Sequence, residues 1–250
     1  MVRKSHVDYL LLNILAITII SLAFHTKALR TGRYNFYKIL LRWPESFCNT
    51  GNFTCERPIS NFTIHGLWPM YWGDHSVPSY STQNGCTRTI PRLPDEITRR
   101  LLVSILLDMD KYWPNVKYHR YFAQNEHFWQ YEWEQHGMCF DQSNYPIYYF
   151  NTTLNLIRRF NLLDLLITGG IIPNSYHGYD VSSIADIVDN FLQVQVEIRC
   201  NEDDQGLIQL YEIAICHLRN DTLTPCPYRF TNCGESDHEE VRFPNPFRNI

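Results

Sequence analysis

Beyond its first two dozen residues, this 250-residue chain has no apolar run long enough to span a bilayer. It has no excess of positive charge either: 22 Lys+Arg stand against 26 Asp+Glu, a net charge of −4. At neutral pH it is therefore no electrostatic magnet for nucleic acid, although charge alone does not exclude such a substrate. No C-x-x-C pair occurs among its eight cysteines and their spacing is irregular, which argues against a zinc site. No internal repeat, low-complexity tract or linker rich in Pro, Gly or Ser divides it, so one domain is the economical reading.

What is present begins with an export signal. Arg3 and Lys4 precede a nearly unbroken apolar run from Tyr9 to Phe24, with small residues at Ala23 and Ala28. A basic start, a short apolar stretch and small residues near its end describe a secretory signal peptide. The run is shorter than the ~20 residues of a spanning helix, so a membrane anchor is the weaker alternative. The expected division is a signal peptide of residues 1–28 and a single domain of residues 29–250, about 222 residues. Without the signal the chain has 19 Lys+Arg and 25 Asp+Glu, about −6, with eight histidines whose protonation would bring it toward +2 in an acidic compartment.

All eight cysteines (Cys48, Cys55, Cys86, Cys139, Cys200, Cys216, Cys226 and Cys233) follow the signal. An even count in an exported chain reads as four disulfides. Asn52, Asn61, Asn151 and Asn220 each open an N-x-T sequon, candidate glycosylation sites that fit the same route.

Hydrophobic periodicity predicts a buried strand from Asn35 to Trp43, stopped by Pro44, and a second over Phe62–His65, ending at Gly66. A long helix opens at Pro94-Asp95, with Ile97, Leu101, Ile105 and Met109 on one face. Shorter helices are expected over Phe128–Gly137, from about Ile147 to Leu166, and after a cap at Asp180 or Ser182. Strands over Val194–Arg199 and Leu207–His217 close the chain. Helices in the middle and strands at both ends give an α+β class with a mainly antiparallel central sheet flanked by helices.

Two segments stand apart chemically: Phe62-Thr63-Ile64-His65-Gly66-Leu67-Trp68-Pro69, and the run from Phe128 to Cys139 that contains Glu132 and His136. On a helix, Glu132 and His136 are i, i+4 neighbours and share a face. Two histidines flanking a phosphodiester can transphosphorylate RNA. One takes the 2′-hydroxyl proton, the other protonates the leaving 5′-oxygen, and imidazole suits both jobs. A third group must offset charge on the phosphoryl oxygens. From the residues alone a lone histidine in an aromatic segment is more often a hydrogen-bonded structural group. Glu132 and His136 could equally be an ordinary helix pair, and Trp129, Tyr131 and Trp133 read as core or rim rather than a base-stacking platform.

Both segments resemble the catalytic signatures of the ribonuclease T2 family, F-T-I-H-G-L-W-P and F-W-x-H-E-W-x-K-H-G-T-C. Trp43-Pro44 with Cys48, Trp113-Pro114-Asn115 and Val241-Arg242-Phe243-Pro244 resemble its opening, middle and tail. The resemblance implies that family's α+β fold and an endoribonuclease working through a 2′,3′-cyclic phosphate. It further implies single-stranded RNA as the substrate, with no cofactor or metal, and the matching expectation is an extracellular or vacuolar monomer without a membrane anchor once the signal is cleaved. It casts His65 as the general acid, His136 as the base and Glu132 as their supporting group. It implies that Trp68 helps wall the substrate side and, by similarity to plant members, that Asn115 and Phe128 contact the base. It also implies the pairs Cys48–Cys55, Cys86–Cys139, Cys200–Cys233 and Cys216–Cys226.

Three positions depart from that pattern. Tyr131 replaces a histidine, and its hydroxyl could still reach phosphate. Gln135 replaces a lysine, so a dipole stands where a full positive charge is usual. Losing such a group commonly costs about 3–4 kcal/mol in the transition state. Arg42 replaces the glutamine of plant relatives at a base-contacting position, and Lys117 lies near the same expected base site. The departures leave a second reading open, a catalytically impaired member serving storage, binding or recognition.

Overall fold

The computed structural model describes residues 34–51, 55, 56, 58–83, 86, 90–174 and 176–247. The expected signal peptide and the Asn52 sequon lie outside them. No helix among the described residues is long and apolar enough to cross a membrane.

The chain runs β1 (Phe36–Arg42), α1 (Pro44–Cys48), β2 (Thr63–Tyr71), β3 (His75–Ser76) and α2 (Tyr80–Gln83). Helices α3 (Leu106–Tyr112), α4 (Phe122–Gln135), α5 (Pro146–Ile157) and α6 (Leu162–Thr168) fill the middle. Then come β4 (Gly178–Asp180), α7 (Val181–Leu192), β5 (Glu197–Glu202), β6 (Ile208–Leu218), β7 (Phe230–Thr231) and β8 (Glu240–Arg242). The sheet order is β3-β2-β1-β6-β5-β7, with β8 joining β6 and β4 joining β8. Contacts among β2, β1, β6 and β5 are antiparallel, and β5–β7 and β6–β8 are parallel. This is the α+β, mainly antiparallel architecture anticipated from the sequence.

Strand alternation divides the sheet into two unlike faces. Tyr37, Ile39 and Leu41 of β1, with Ile213 and Ile215 of β6 and Ile198 of β5, join Trp113, Trp129, Trp133 and Phe150 in one core. The opposite face carries Lys38, Arg42, Glu197 and Glu212, all buried. Burying charge is costly unless it is paired, and pairing within that face builds the site described below. The disulfides join Cys48–Cys55, Cys86–Cys139, Cys200–Cys233 and Cys216–Cys226, the pairs implied by the resemblance.

Several elements differ from expectation. Pro94 opens only a 3-10 turn, Pro94–Glu96, and a regular helix begins at Leu106. Long-range contacts override the local pattern: the Arg99 amide donates to Glu126 and Ile97 is fully buried. The helix expected from Ile147 to Leu166 is two helices. The second is capped by the Asn161 side chain, which accepts from the Leu163 amide at 3.1 Å. Asp180 is the cap of α7. Strand β2 does not stop at Gly66 but continues to Tyr71. Pro69 is tolerated because β2 lies near the sheet edge.

Candidate active site

The site is built on an irregularity in β2. Leu40 of β1 pairs with Gly66 and Leu41 with Ile64, so His65 is an extra residue opposite no partner, a β-bulge. The free edge of β2 is satisfied by side chains. Trp113 Nε1 donates to the His65 carbonyl at 3.0 Å and the Tyr149 hydroxyl to the Leu67 carbonyl at 3.0 Å.

His65 Nδ1 lies 2.8 Å from Glu212 Oε1, and its Nε2 lies 3.7 Å from Glu132 Oε1. Arg42 Nε donates to the same Glu212 oxygen at 3.0 Å, and an Arg199 guanidinium nitrogen stands 3.6 Å from Glu212 Oε2. Arg42, Glu212 and Arg199 are register partners across β1, β6 and β5, one row of the sheet. Burial alone would push the Glu212 carboxyl up, but His65, Arg42 and Arg199 together bring it down to about 2. It is a carboxylate across the whole ordinary pH range. Burial holds His65 below its ordinary value, Arg42 adds to this, and Glu212 opposes both.

Glu132 comes from the last turn of α4 and stands over Gly66. Burial pushes it up to about 8, against the lowering influence of Arg42 and the Trp68 indole. Its Oε2 and Trp68 Nε1 are both buried without a partner in hydrogen-bond geometry. His136 is not on the helical face that the sequence implied. It is the C-cap residue, φ −132° and ψ −47°, where α4 gives way to a 3-10 turn over Gly137–Cys139. The chain can turn there because Gly137 packs against the Trp133 ring where a side chain would collide, and Cys139 is tethered to Cys86. The His136 ring stacks on Trp68 at 4.8 Å, and His65 meets the Trp68 edge at 5.3 Å. Burial, then the neighbouring His65, pushes His136 down to about 3.

These two imidazoles, both against the Trp68 ring, lie in a stretch of chain, residues 34–233, that matches the Ribonuclease T2 family. The chain belongs to the ribonuclease T2 family. Ribonuclease 1 of Arabidopsis thaliana is 32% identical over 218 residues, covering 85% of this chain and 87% of that one. Ribonuclease T2 of Sus scrofa is 34% identical over 190 residues, 74% and 85%. Among solved structures, the self-incompatibility-associated SF11-RNase of Nicotiana alata superposes with a TM-score of 0.68. It is 30% identical and covers 85% of this chain and all of that one. Membership brings with it endonucleolytic cleavage of RNA.

In this ribonuclease, the structure brings His65, Glu132, His136 and Trp68 together. The other candidates are more dispersed. The Asn115 side chain accepts from the Lys117 and Tyr118 amides and donates to the Gln124 carbonyl, which shapes its own loop. Phe128 packs partly buried against the core, Tyr131 is 56% exposed, and Gln135 ends α4 beside His136. Arg42 is buried against Glu212 and lies over the Phe47 and Tyr211 rings, and Lys117 also lies over the Phe47 ring. Asn220 is exposed, and Asn61 and Asn151 are partly exposed. No group of three or more His, Cys, Asp or Glu side chains among the described residues is arranged to hold a metal.

Glu212 and Arg199 were missed by sequence reasoning. Their signal was charge inside otherwise apolar strands, at alternating positions that place it on one face. Gly66 gives a direct test of the close packing. A methyl group there would strike Glu132 Oε2 and lie 2.6 Å from Trp68 Nε1. Gly66→Ala is expected to destabilise the fold by about 1–3 kcal/mol in chemical denaturation and to lower activity by displacing both side chains.

Proposed function

We propose that this ribonuclease is an exported enzyme that cleaves single-stranded RNA by metal-independent acid/base transphosphorylation in the acidic range. His136 takes the proton of the 2′-hydroxyl, and the 2′-oxygen attacks phosphorus. The bond to the 5′-oxygen breaks, that oxygen receives a proton from His65, and a 2′,3′-cyclic phosphate remains. The observation that carries this reading is the division of labour around Trp68. Glu212 occupies His65 Nδ1 and so leaves Nε2 to deliver the proton, as an orienting carboxylate does for a catalytic imidazole. His136, with no carboxylate at hydrogen-bond distance and pushed down to about 3, stays neutral as a base deep into acid.

Glu132 is at about 8 and keeps its proton throughout the same window. It therefore faces His65 as a neutral carboxyl rather than a competing anion. Export is supported by the basic-then-apolar N-terminus, the sequons and four disulfides. A monomer working outside the cell or in the vacuole fits the same features.

The test is a pH–rate profile on single-stranded RNA with chelator present, with the products analysed for 2′,3′-cyclic ends. His136 must be neutral, so activity falls as pH drops toward about 3. His65 must be protonated and is held below 6.5, so activity falls again as pH rises through a value under 6.5. A bell confined to the acidic side is expected. An alkaline limb above pH 7, or products without cyclic ends, would overturn the assignment.

A further inference from the structure

Gln135 leaves the site without the cation that the signature carries at that position, and the sheet that carries His65 holds one in reserve. Among the described residues, strands β1 and β5 place three cations on that sheet's charged face, and two are committed. Lys38 Nζ is 2.6 Å from Glu197 Oε2 and also bonds Asp74. Arg42 donates to Glu212 at 3.0 Å, with only 8% of its side chain exposed.

Arg199 differs on each count. Its nearest approaches to the two carboxylates, 3.6 Å to Glu212 and 3.8 Å to Glu197, are longer than hydrogen bonds, and both carboxylates have a closer cation. A quarter of its side chain is accessible. Its guanidinium lies 5.7 Å from the Trp68 ring, the ring on which His136 stacks and whose edge His65 meets. Among the described residues it is the cation recorded against that ring. A guanidinium is permanently charged, weakly hydrated and shaped to bind two phosphate oxygens at once.

We propose that Arg199 is the phosphate-binding cation of this site, supplying from β5 the positive charge that Gln135 does not supply from α4. The proposal rests on the ribonuclease reading for the identity of the phosphate, a phosphodiester whose non-bridging oxygens gain charge as the 2′-oxygen attacks. Its position in the Arg42–Glu212–Arg199 row places the guanidinium beside Trp68, and donors not held at hydrogen-bond distance by either carboxylate are available to an anion there.

The experiment has two arms. In the first, kcat/KM on single-stranded RNA and competitive inhibition by inorganic phosphate are measured at pH 5 for wild type, Arg199→Gln, Gln135→Lys and the double variant. Arg199→Gln is expected to lower kcat/KM by about 10²- to 10³-fold and to weaken phosphate inhibition at least tenfold. Gln135→Lys is expected to raise activity far more in the Arg199→Gln background than in wild type. A lysine on a different element cannot restore packing lost on β5, so that non-additivity separates charge from structure. Unchanged phosphate affinity in Arg199→Gln, or a loss that Gln135→Lys fails to restore, would overturn the proposal.

The second arm needs no variant to fold: the Arg199 Nε–H signal of wild type is followed by NMR during titration with inorganic phosphate. A saturable shift is expected, and its absence refutes the assignment. A wild type that binds phosphate at Arg199 yet cleaves no RNA would instead refute the catalytic reading and leave the cation site standing. Cleavage with an unshifted Arg199 would do the reverse.

Discussion

His136→Ala is expected to lower kcat/KM on single-stranded RNA by about 10²- to 10⁴-fold, the range typical of a lost general base. The effect should be confined to catalysis. The ring stacks on Trp68 but its Nδ1 has no partner, so its removal frees a buried polar atom rather than stranding one. The acid limb of the wild-type profile should disappear with it, because that limb reports the imidazole held at about 3.

His65→Ala should cost a similar factor on RNA, for the opposite reason, since the 5′-oxygen would depart unprotonated. A substrate whose leaving group is a nitrophenolate needs no such proton. On that ester His65→Ala should regain most of its lost rate and His136→Ala none. If the recovery falls on His136→Ala instead, the roles of acid and base are exchanged.

Glu212→Ala is expected to be the most damaging single change to the fold among the site residues. Glu212 is 1% exposed and touches His65, Arg42 and Arg199. Its loss leaves the buried Arg42 guanidinium without its partner, and breaking a buried pair from one side costs about 3–5 kcal/mol. Denaturant unfolding at pH 6 should show that loss.

Glu212→Gln retains shape and an acceptor but removes the charge. It should be milder in stability, and it carries a distinct kinetic signature. The carboxylate raises the His65 pKa against the pull of burial, so with an amide there His65 releases its proton at lower pH. The alkaline limb must shift downward, and an upward shift would contradict the contact. The linkage in wild type has a definite sign as well. A carboxyl brought from 4.5 to about 2 contributes its stability fully above about 4.5 and loses it only as pH falls toward 2. The row that holds His65 therefore remains intact over the range in which the enzyme is proposed to work.

Much of this was legible in the sequence, because local rules govern it. The apolar segments Asn35–Trp43 and Leu207–His217 mark strands, Asp180 or Ser182 marks a helix start, and the segments around His65 and His136 carry family signatures. The long helix from Pro94 was misread, because Ile97 and Met109 recur at helical spacing while Ile97 is buried by tertiary contacts and Arg99 bonds Glu126. Placing His136 on a helical face failed for a related reason: the tether at Cys139 and the packing of Gly137 end α4 one residue earlier. The Arg42–Glu212–Arg199 row was beyond reach. It joins residues up to 170 positions apart, and only the register of three strands shows that they meet.

The bulge in β2 means that His65 occupies an extra place in the sheet rather than a paired one. With that one position removed, Ile64 and Gly66 would become neighbours facing Leu41 and Leu40, and the ladder between β1 and β2 would close without a gap. Ile64 and Leu67 would still point to the core, and Gly66 and Trp68 to the charged face. Chain length at this point, as much as residue identity, is thus a determinant of activity. A shortening by one residue would leave a more regular hairpin and an inert one, a route by which a scaffold of this kind can shed its chemistry and keep its shape.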